Sequence, residues 1–273
     1  MGRVDMRFLA PTVCEVFGVR KPQSCEGGAL PEIVRDMGHP RRLVTVVLDG
    51  LGTEALEAHA DSCPNLRSIS RLHYLEIRAV RPPKTPVNFA TMATGASQRV
   101  HGVSEKTDPL RVETIFRVLE ESGISTCVAG RQSGSPAHLF SGLARHRAIA
   151  GTNTDAEVLE LVLDALRHRK PGFTLVQFLD IDEAEHEAGP FGEAVRDAVL
   201  GTDVRLGRLA KAVAAEGGGM VVLADHGQHE VVVGHGDRAV TRGKHDGTSP
   251  QDFLVPLVWC NPDELAALVE TAA

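Results

Sequence analysis

The chain of 273 residues is 42% hydrophobic, enough for a sizeable buried core, and a single domain over residues 1–273 is expected. Its 29 Lys plus Arg against 36 Asp plus Glu leave a formal charge of −7. This excludes a basic footprint for a nucleic-acid polymer or an anionic membrane, so an anionic ligand would need locally fixed positive charge.

The first residues, "MGRVDMRFLAPTVCEVFGVR", lack the apolar core and cleavage site of a secretory signal, and no apolar run is long enough to span a membrane, so a cytoplasmic location is expected. Cys14, Cys25, Cys63, Cys127 and Cys260 form an odd set without CxxC spacing. Reduced thiols are expected, not a disulfide framework or a thiolate metal site.

Taken in chain order, "LVTVVLD" (43–49), "TCVAG" (126–130), "FTLVQFLD" (173–180) and "MVVLAD" (220–225) read as strands buried on both faces, with "PLVWC" a weaker last member. Helical patterns alternate with them: "VETIFRVLEESG" ending at Gly123, "TDAEVLELVLDALRH" opened by Thr154 as cap, and a longer stretch from about Gly192 to Gly217. A final helix is expected after Asn261 as cap, with Pro262 at its first position. The fold class is therefore α/β, a mostly parallel central sheet with helices on both faces and ligand sites outside the carboxyl ends of the strands. The Gly-rich stretch 227–250 reads as a long surface loop.

Chemistry-bearing residues collect at these strand ends. Asp49 is either an Asx turn or cap before a helix near Thr53, or a carboxylate facing the ligand crevice. Asp182 and His186, four apart, share one face if their segment is helical, while Asp180 points elsewhere; the rival reading is a solvated acidic turn. Asp225 and His226 end the fourth strand before Gly227, and a donor set of this kind suits zinc, with manganese or iron as alternatives. His245 sits in a Gly-flanked loop able to reach across the sheet; His229 and His235 read as solvated. Thr85, in "KTPVNFATMATG", reads as a helix cap with Pro86 at the first helical position, a setting that favours a bound phosphate.

In this order, Asp49, Thr85, Asp182 with His186, Asp225 with His226, and His245 resemble the alkaline phosphatase superfamily, most closely its type I phosphodiesterase/nucleotide pyrophosphatase branch. The shared blocks also include "TGASQRVHG" and a late His ahead of a Val-Pro-Leu strand, and the resemblance runs from about residue 43 to 258. It implies two divalent metal ions, one on Asp182, His186 and His245 and the other on Asp49, Asp225 and His226 with the Thr85 oxygen. It implies further that Thr85 is the nucleophile of a phosphodiesterase-type hydrolase working through a phosphothreonine, and that the Asn88 amide donates to a phosphoryl oxygen, a kind of contact that contributes about 10²–10³ in rate. Thr94, Gly95, His101 and Gly102 read as structural, His101 as a hydrogen-bonding brace. Lys84 and Arg81 are candidates for positive charge beside the site. Phe89 and Phe140 are candidates to stack a base, and residues 131–150 are the candidate segment for a leaving-group pocket. A phosphomonoesterase, a phosphonate hydrolase or a non-catalytic metal- or phosphate-binding module are the rival functions, with a small-molecule phosphate ester or phosphonate as the ligand in the enzymatic cases.

Overall fold

Where apolar residues run without interruption, the chain forms the middle of a sheet. A computed structural model describes residues 4–235 and 239–271. Its strands are β1 (Leu43–Leu48), β2 (Tyr74–Arg78), β3 (Thr126–Arg131), β4 (His146–Ala150), β5 (Phe173–Phe178), β6 (Gly219–Leu223), β7 (His229–Val233), β8 (Val240–Lys244) and β9 (Leu254–Cys260). Seven of them form the main sheet in the order β2-β9-β6-β1-β5-β3-β4. Every residue of β1, β3, β5 and β6 is buried, as expected for strands covered on both faces. Pairing is parallel from β6 through β4, and β9 joins β6 and β2 antiparallel.

The helices are α1 (Leu9–Val16), α2 (Pro31–Met37), α3 (Thr53–Ala58), α4 (Pro64–Ser70), α5 (Thr85–Thr94), α6 (Gln98–His101), α7 (Ile115–Glu121), α8 (Ser135–Phe140), α9 (Asp155–Asp164), α10 (Asp180–Ala188), α11 (Glu193–Ala215) and α12 (Pro262–Thr271). They pack in two groups, α1 with α2, α5 and α7, and α11 with α4, α9, α10 and α12. Two caps act where the sequence places them. Thr154 accepts from the Glu157 N–H, and Asn261 accepts from the N–H groups of Asp263 and Glu264. No described helix is long and apolar enough to cross a membrane.

Two sequence expectations change. The stretch 227–250 is not a plain loop, because β7 and β8 pair within it as an antiparallel ribbon; residues 236–238 lie outside the described residues. The segment 131–150 supplies α8 and β4 and does line a pocket, of about 440 Å³ between Gln132, Ala137, His138, Ser141, Arg147 and Ile149. Phe140 is fully buried among Phe89 and Phe116 and has no surface to offer a ligand.

A buried ion pair fixes how α10 leaves the sheet. Arg131, at the end of β3, is 3% exposed and donates from Nε to Asp155 Oδ1 at 2.7 Å. Its other guanidinium nitrogens reach Asp180 and Glu183. Asp155 Oδ2 in turn accepts the Leu179 and Asp180 N–H groups, both at 2.8 Å, at the start of α10. Asp155→Ala leaves the Arg131 Nε and the Leu179 and Asp180 N–H groups without acceptors while Asp180 and Glu183 still balance the guanidinium, so stability is expected to fall by about 1–3 kcal/mol. Urea unfolding followed by circular dichroism checks this; a loss below about 1 kcal/mol, the scale of an exposed pair, contradicts it.

Candidate active site

β6, β1 and β5 are adjacent and parallel, so their carboxyl ends lie side by side, where open α/β sheets bind ligands. Asp49 follows β1, Asp225 and His226 follow β6, and α10 follows β5. Tight turns bring these ends into contact. Gly50 has φ +81°, and a Cβ there would lie 3.0 Å from the Asp182 Cα. At Gly227 a Cβ would lie 2.3 Å from the Gln251 carbonyl oxygen, so both positions need glycine.

Two groups of ligand-capable side chains result, Asp49 with Asp225 and His226, and Asp182 with His186 and His245, each with its candidate donor atoms within 4.8 Å of one another. The first group is fully buried, whereas the His186 ring is 43% exposed. The stacked rings of His226 and His245, with centroids 3.9 Å apart, join the two.

Backbone carbonyls orient all three imidazoles. His245 Nδ1 lies 2.7 Å from Pro83 O, His186 Nδ1 3.3 Å from Gly243 O, and His226 Nδ1 3.3 Å from Gly227 O. With Nδ1–H donating to these carbonyls, each Nε2 keeps a lone pair. The Nε2 lone pairs of His186 and His245 converge at 3.2 Å, and His226 Nε2 lies 3.5 Å from both Asp49 Oδ1 and Asp225 Oδ2. Lone pairs aimed at one point are what an ion-binding site requires.

The electrostatics point the same way. Burial, with Asp225 and Asp182 nearby, holds the Asp49 carboxyl well above the ordinary range, and burial also raises Asp182 and Asp225. Burial and then His245 push His226 well below the usual imidazole value. Asp225 Oδ2 is buried without a hydrogen-bond partner. Three carboxylates with an unpartnered oxygen and converging imidazole nitrogens fit divalent cations, whose charge would reverse these shifts.

Thr85 lies at the start of α5, its Oγ1 3.1 Å from His226 Nε2 and 3.5 Å from Asp49 Oδ1. It is the first residue of the helix and not its cap. The carbonyl of Lys84, which is the cap, accepts the Asn88 N–H at 3.0 Å and opens the helical ladder one residue earlier than the sequence reading has it. Asn88 is fully buried; its Oδ1 accepts the Val80 N–H at 2.8 Å, and its Nδ2 donates to Lys84 O at 3.2 Å.

The two tentative substrate contacts fare differently. Lys84 is exposed, with its ammonium 2.6 Å from Glu105 rather than free beside Thr85. Phe89 is fully buried and packs on Phe140, because position 89 of α5 faces the core; it offers no ring to a ligand. Asp180, as expected, turns away, toward Arg131 and Arg205.

Two glutamines escaped the sequence reading. The Gln177 amide donates to Asp49 Oδ2, and Gln228 Nε2 donates to Asp182 Oδ1 at 2.8 Å. Gln177 left a signal, a polar side chain in the otherwise apolar "FTLVQF", which burial on both faces obliges to find a partner. A third group of ligand-capable residues, His229, Asp246 and Asp252, is already engaged internally. Lys244 pairs with Asp246 at 2.6 Å, while Asp252 holds His229 at 2.6 Å and the Gly247 N–H at 2.8 Å.

His101 braces α5 from behind. Its Nδ1 accepts the Val103 N–H and its Nε2 meets Thr91 Oγ1, both at 3.1 Å, an arrangement that needs the neutral ring. Burial pushes its pKa down to about 4. The unfolded chain therefore binds more protons between that value and about 6.5, and stability falls as pH is lowered through this window, by at most about 3 kcal/mol. The unfolding free energies of wild type and His101→Gln, compared between pH 7 and 4.5, should differ less at the lower pH. A difference independent of pH contradicts the neutral brace.

Fold and site together define an α/β protein with two carboxylate–imidazole groups beside a helix-borne hydroxyl. Residues 43–122 and 143–259 match the family model described as type I phosphodiesterase/nucleotide pyrophosphatase, and the chain belongs to that family. No curated protein sequence gives a significant match. Among solved structures, human ectonucleotide pyrophosphatase/phosphodiesterase 5 is similar, with TM-score 0.62 at 12% identity over 85% of this chain and 94% of that one. Phosphonoacetate hydrolase from Sinorhizobium meliloti 1021, in complex with phosphonoacetate, gives 0.58 at 16% identity over 86% and 96%. The C-terminal periplasmic domain of EcEptC from Escherichia coli, in complex with Zn, gives 0.59 at 15% identity over 84% and 75%. At these identities the neighbours establish the alkaline phosphatase-like fold. Together with the family they indicate a phosphoester hydrolase.

Proposed function

We propose that the protein is a metal-dependent phosphodiesterase acting through a phosphothreonine on Thr85. The observation that carries the reading is the Thr85 hydroxyl, held at the start of α5 within 3.5 Å of both Asp49 and His226 and beside the two ligand-capable groups. Asp182, His186 and His245 would hold one divalent ion and Asp49, Asp225 and His226 the other, with Thr85 Oγ1 on the second; bound there, such ions supply charge neutralisation and Lewis acidity to phosphoryl transfer. Zinc suits the mixed imidazole and carboxylate donors.

The chain's own residues do the rest. The Thr85 oxygen attacks phosphorus while the ester oxygen leaves opposite it, and water then cleaves the phosphothreonine and restores the hydroxyl. His226 Nε2 at 3.1 Å and Asp49 Oδ1 at 3.5 Å are the acceptors within reach of the Thr85 hydroxyl proton. Asn88 is oriented by the Val80 N–H, which fixes which side of its amide is Nδ2 and leaves one N–H for a phosphoryl oxygen. The first turn of α5 presents its N-terminus to the same anion. Gln177 and Gln228 hold the Asp49 and Asp182 carboxylates in place.

Turnover of bis-p-nitrophenyl phosphate, p-nitrophenyl phosphate and a phenylphosphonate ester by zinc- or manganese-reconstituted protein tests the reading. The diester should be preferred by at least about tenfold in kcat/KM, equivalent to about 1.4 kcal/mol of transition-state stabilisation. Preference for the monoester or the phosphonate would assign the same site to a phosphatase or a phosphonate hydrolase. No turnover with metal bound would make it a binding module.

A further inference from the structure

Beside the site lies a cavity of about 360 Å³ that the mechanism leaves unused, lined by Asp5, Arg7, Arg78, Val80, Arg81 and Phe253 among others. Two hydrogen bonds link its lining to the site. Val80 donates its N–H to Asn88 Oδ1 at 2.8 Å, and Arg81 Nη1 donates to the carbonyl of Gly247, two residues beyond His245, at 3.0 Å.

The cavity is basic in an acidic protein. Three arginines against one aspartate leave a formal +2, while the whole chain carries −7. Only Arg7 has an acidic partner there, Asp5 at 2.6 Å. Among the described residues neither Arg78 nor Arg81 is paired with a carboxylate. Glu26, which acts on Arg7, is occupied by the Ser97 N–H at 2.7 Å and by Arg99 at 3.8 Å.

Arg78 and Arg81 are also ordered for binding. Both guanidinium groups lie over the ring of Phe253, Arg81 at 4.4 Å and Arg78 at 5.7 Å from its centroid, and the ring itself is 3% exposed. A guanidinium stacked on an aromatic face keeps its N–H edge for bidentate contact with a phosphate or carboxylate, and little side-chain freedom is left to lose on binding. The volume falls at the lower end of small-molecule pockets, which suits a compact anion and not a polymer.

We propose that this cavity is an anion subsite receiving a second phosphate or carboxylate of the substrate, so that the preferred substrates are small phosphate esters with an anionic group on the arm away from the scissile bond. The substrate role rests on the phosphodiesterase reading; the anion site itself does not.

The test therefore has two arms. In the first, metal-stripped protein is titrated calorimetrically with inorganic pyrophosphate and, separately, with citrate, so that phosphate and carboxylate recognition are distinguished. At least one is expected to bind, more weakly at higher salt, and the Arg78→Gln/Arg81→Gln double variant should bind it at least tenfold more weakly, with Arg81→Lys intermediate. Equal affinity in wild type and double variant overturns the subsite, provided circular dichroism shows both folded. In the second arm, metal-loaded protein is assayed with p-nitrophenyl propyl phosphate and with analogues carrying a terminal phosphate or carboxylate on the propyl arm. The ratio of kcat/KM for charged over uncharged substrate should be at least tenfold in the wild type and fall toward one in the double variant. A wild-type ratio near one overturns the substrate role. If the wild type turns over none of them, the catalytic reading fails, and the first arm still decides the anion site.

Discussion

Thr85→Ala is expected to lower turnover by about 10³- to 10⁶-fold, the range seen when a nucleophile is removed from a working site. Fold and metal content should stay unchanged, because Lys84 caps α5 and no helix-capping bond depends on the Thr85 side chain. The hydroxyl meets only Asp49 at 3.5 Å and His226 at 3.1 Å, and an alanine leaves both to whatever cation they hold. Thr85→Ser keeps the oxygen and should retain activity within about tenfold, since only a methyl group that helps set the rotamer is lost. Acid-quenching the wild type during turnover of a substrate labelled at phosphorus should leave label on the protein, and the alanine variant should carry none. An alanine variant working at wild-type rates, or labelling at another residue, would remove Thr85 as the nucleophile.

The sequence made the centre of the sheet and most of the site legible for one reason: both sit where buried strands end. β1, β3, β5 and β6 are apolar throughout, so their positions and the strand-end residues Asp49, Asp182 and Asp225 could be read together. β2 and β4 could not. They are the edge strands of the main sheet, and with only one of five and two of five residues buried they carry no continuous apolar run. The β7–β8 ribbon was hidden for a related reason, since Val232, Val233 and Val240 are exposed and its pairing owes little to burial. Phe89 misled because a sequence counts aromatic residues without showing which side of a helix they occupy. The role of Asp155 was equally hidden. It reads as an acidic residue in the first turn of α9, and only the tertiary fold brings Arg131 and the Leu179 and Asp180 N–H groups to its carboxylate.

On the two-ion reading proposed above, His186→Ala is expected to remove one ion and about 10³-fold or more of the activity, the largest effect predicted outside Thr85. Its Nε2 shares a focus with His245 Nε2, 3.2 Å away, and Asp182 Oδ1, 3.5 Å away, and no other described imidazole belongs to that group. The ring is 43% exposed, so its loss opens no closed cavity and stability should change little. The Asp49, Asp225 and His226 group is fully buried and loses no donor, so its ion should remain. Elemental analysis after dialysis should therefore give about half the wild-type metal content, with an unchanged unfolding midpoint for metal-stripped protein. His229→Ala is the matched control. That imidazole also belongs to a ligand-capable group, but Asp252 already holds it and Lys244 neutralises Asp246, so metal content should not move. Equal metal content in His186→Ala and wild type would break the assignment of the exposed group. Loss of both ions would show instead that the stacked pair His226 and His245 couples the two groups so tightly that neither fills alone.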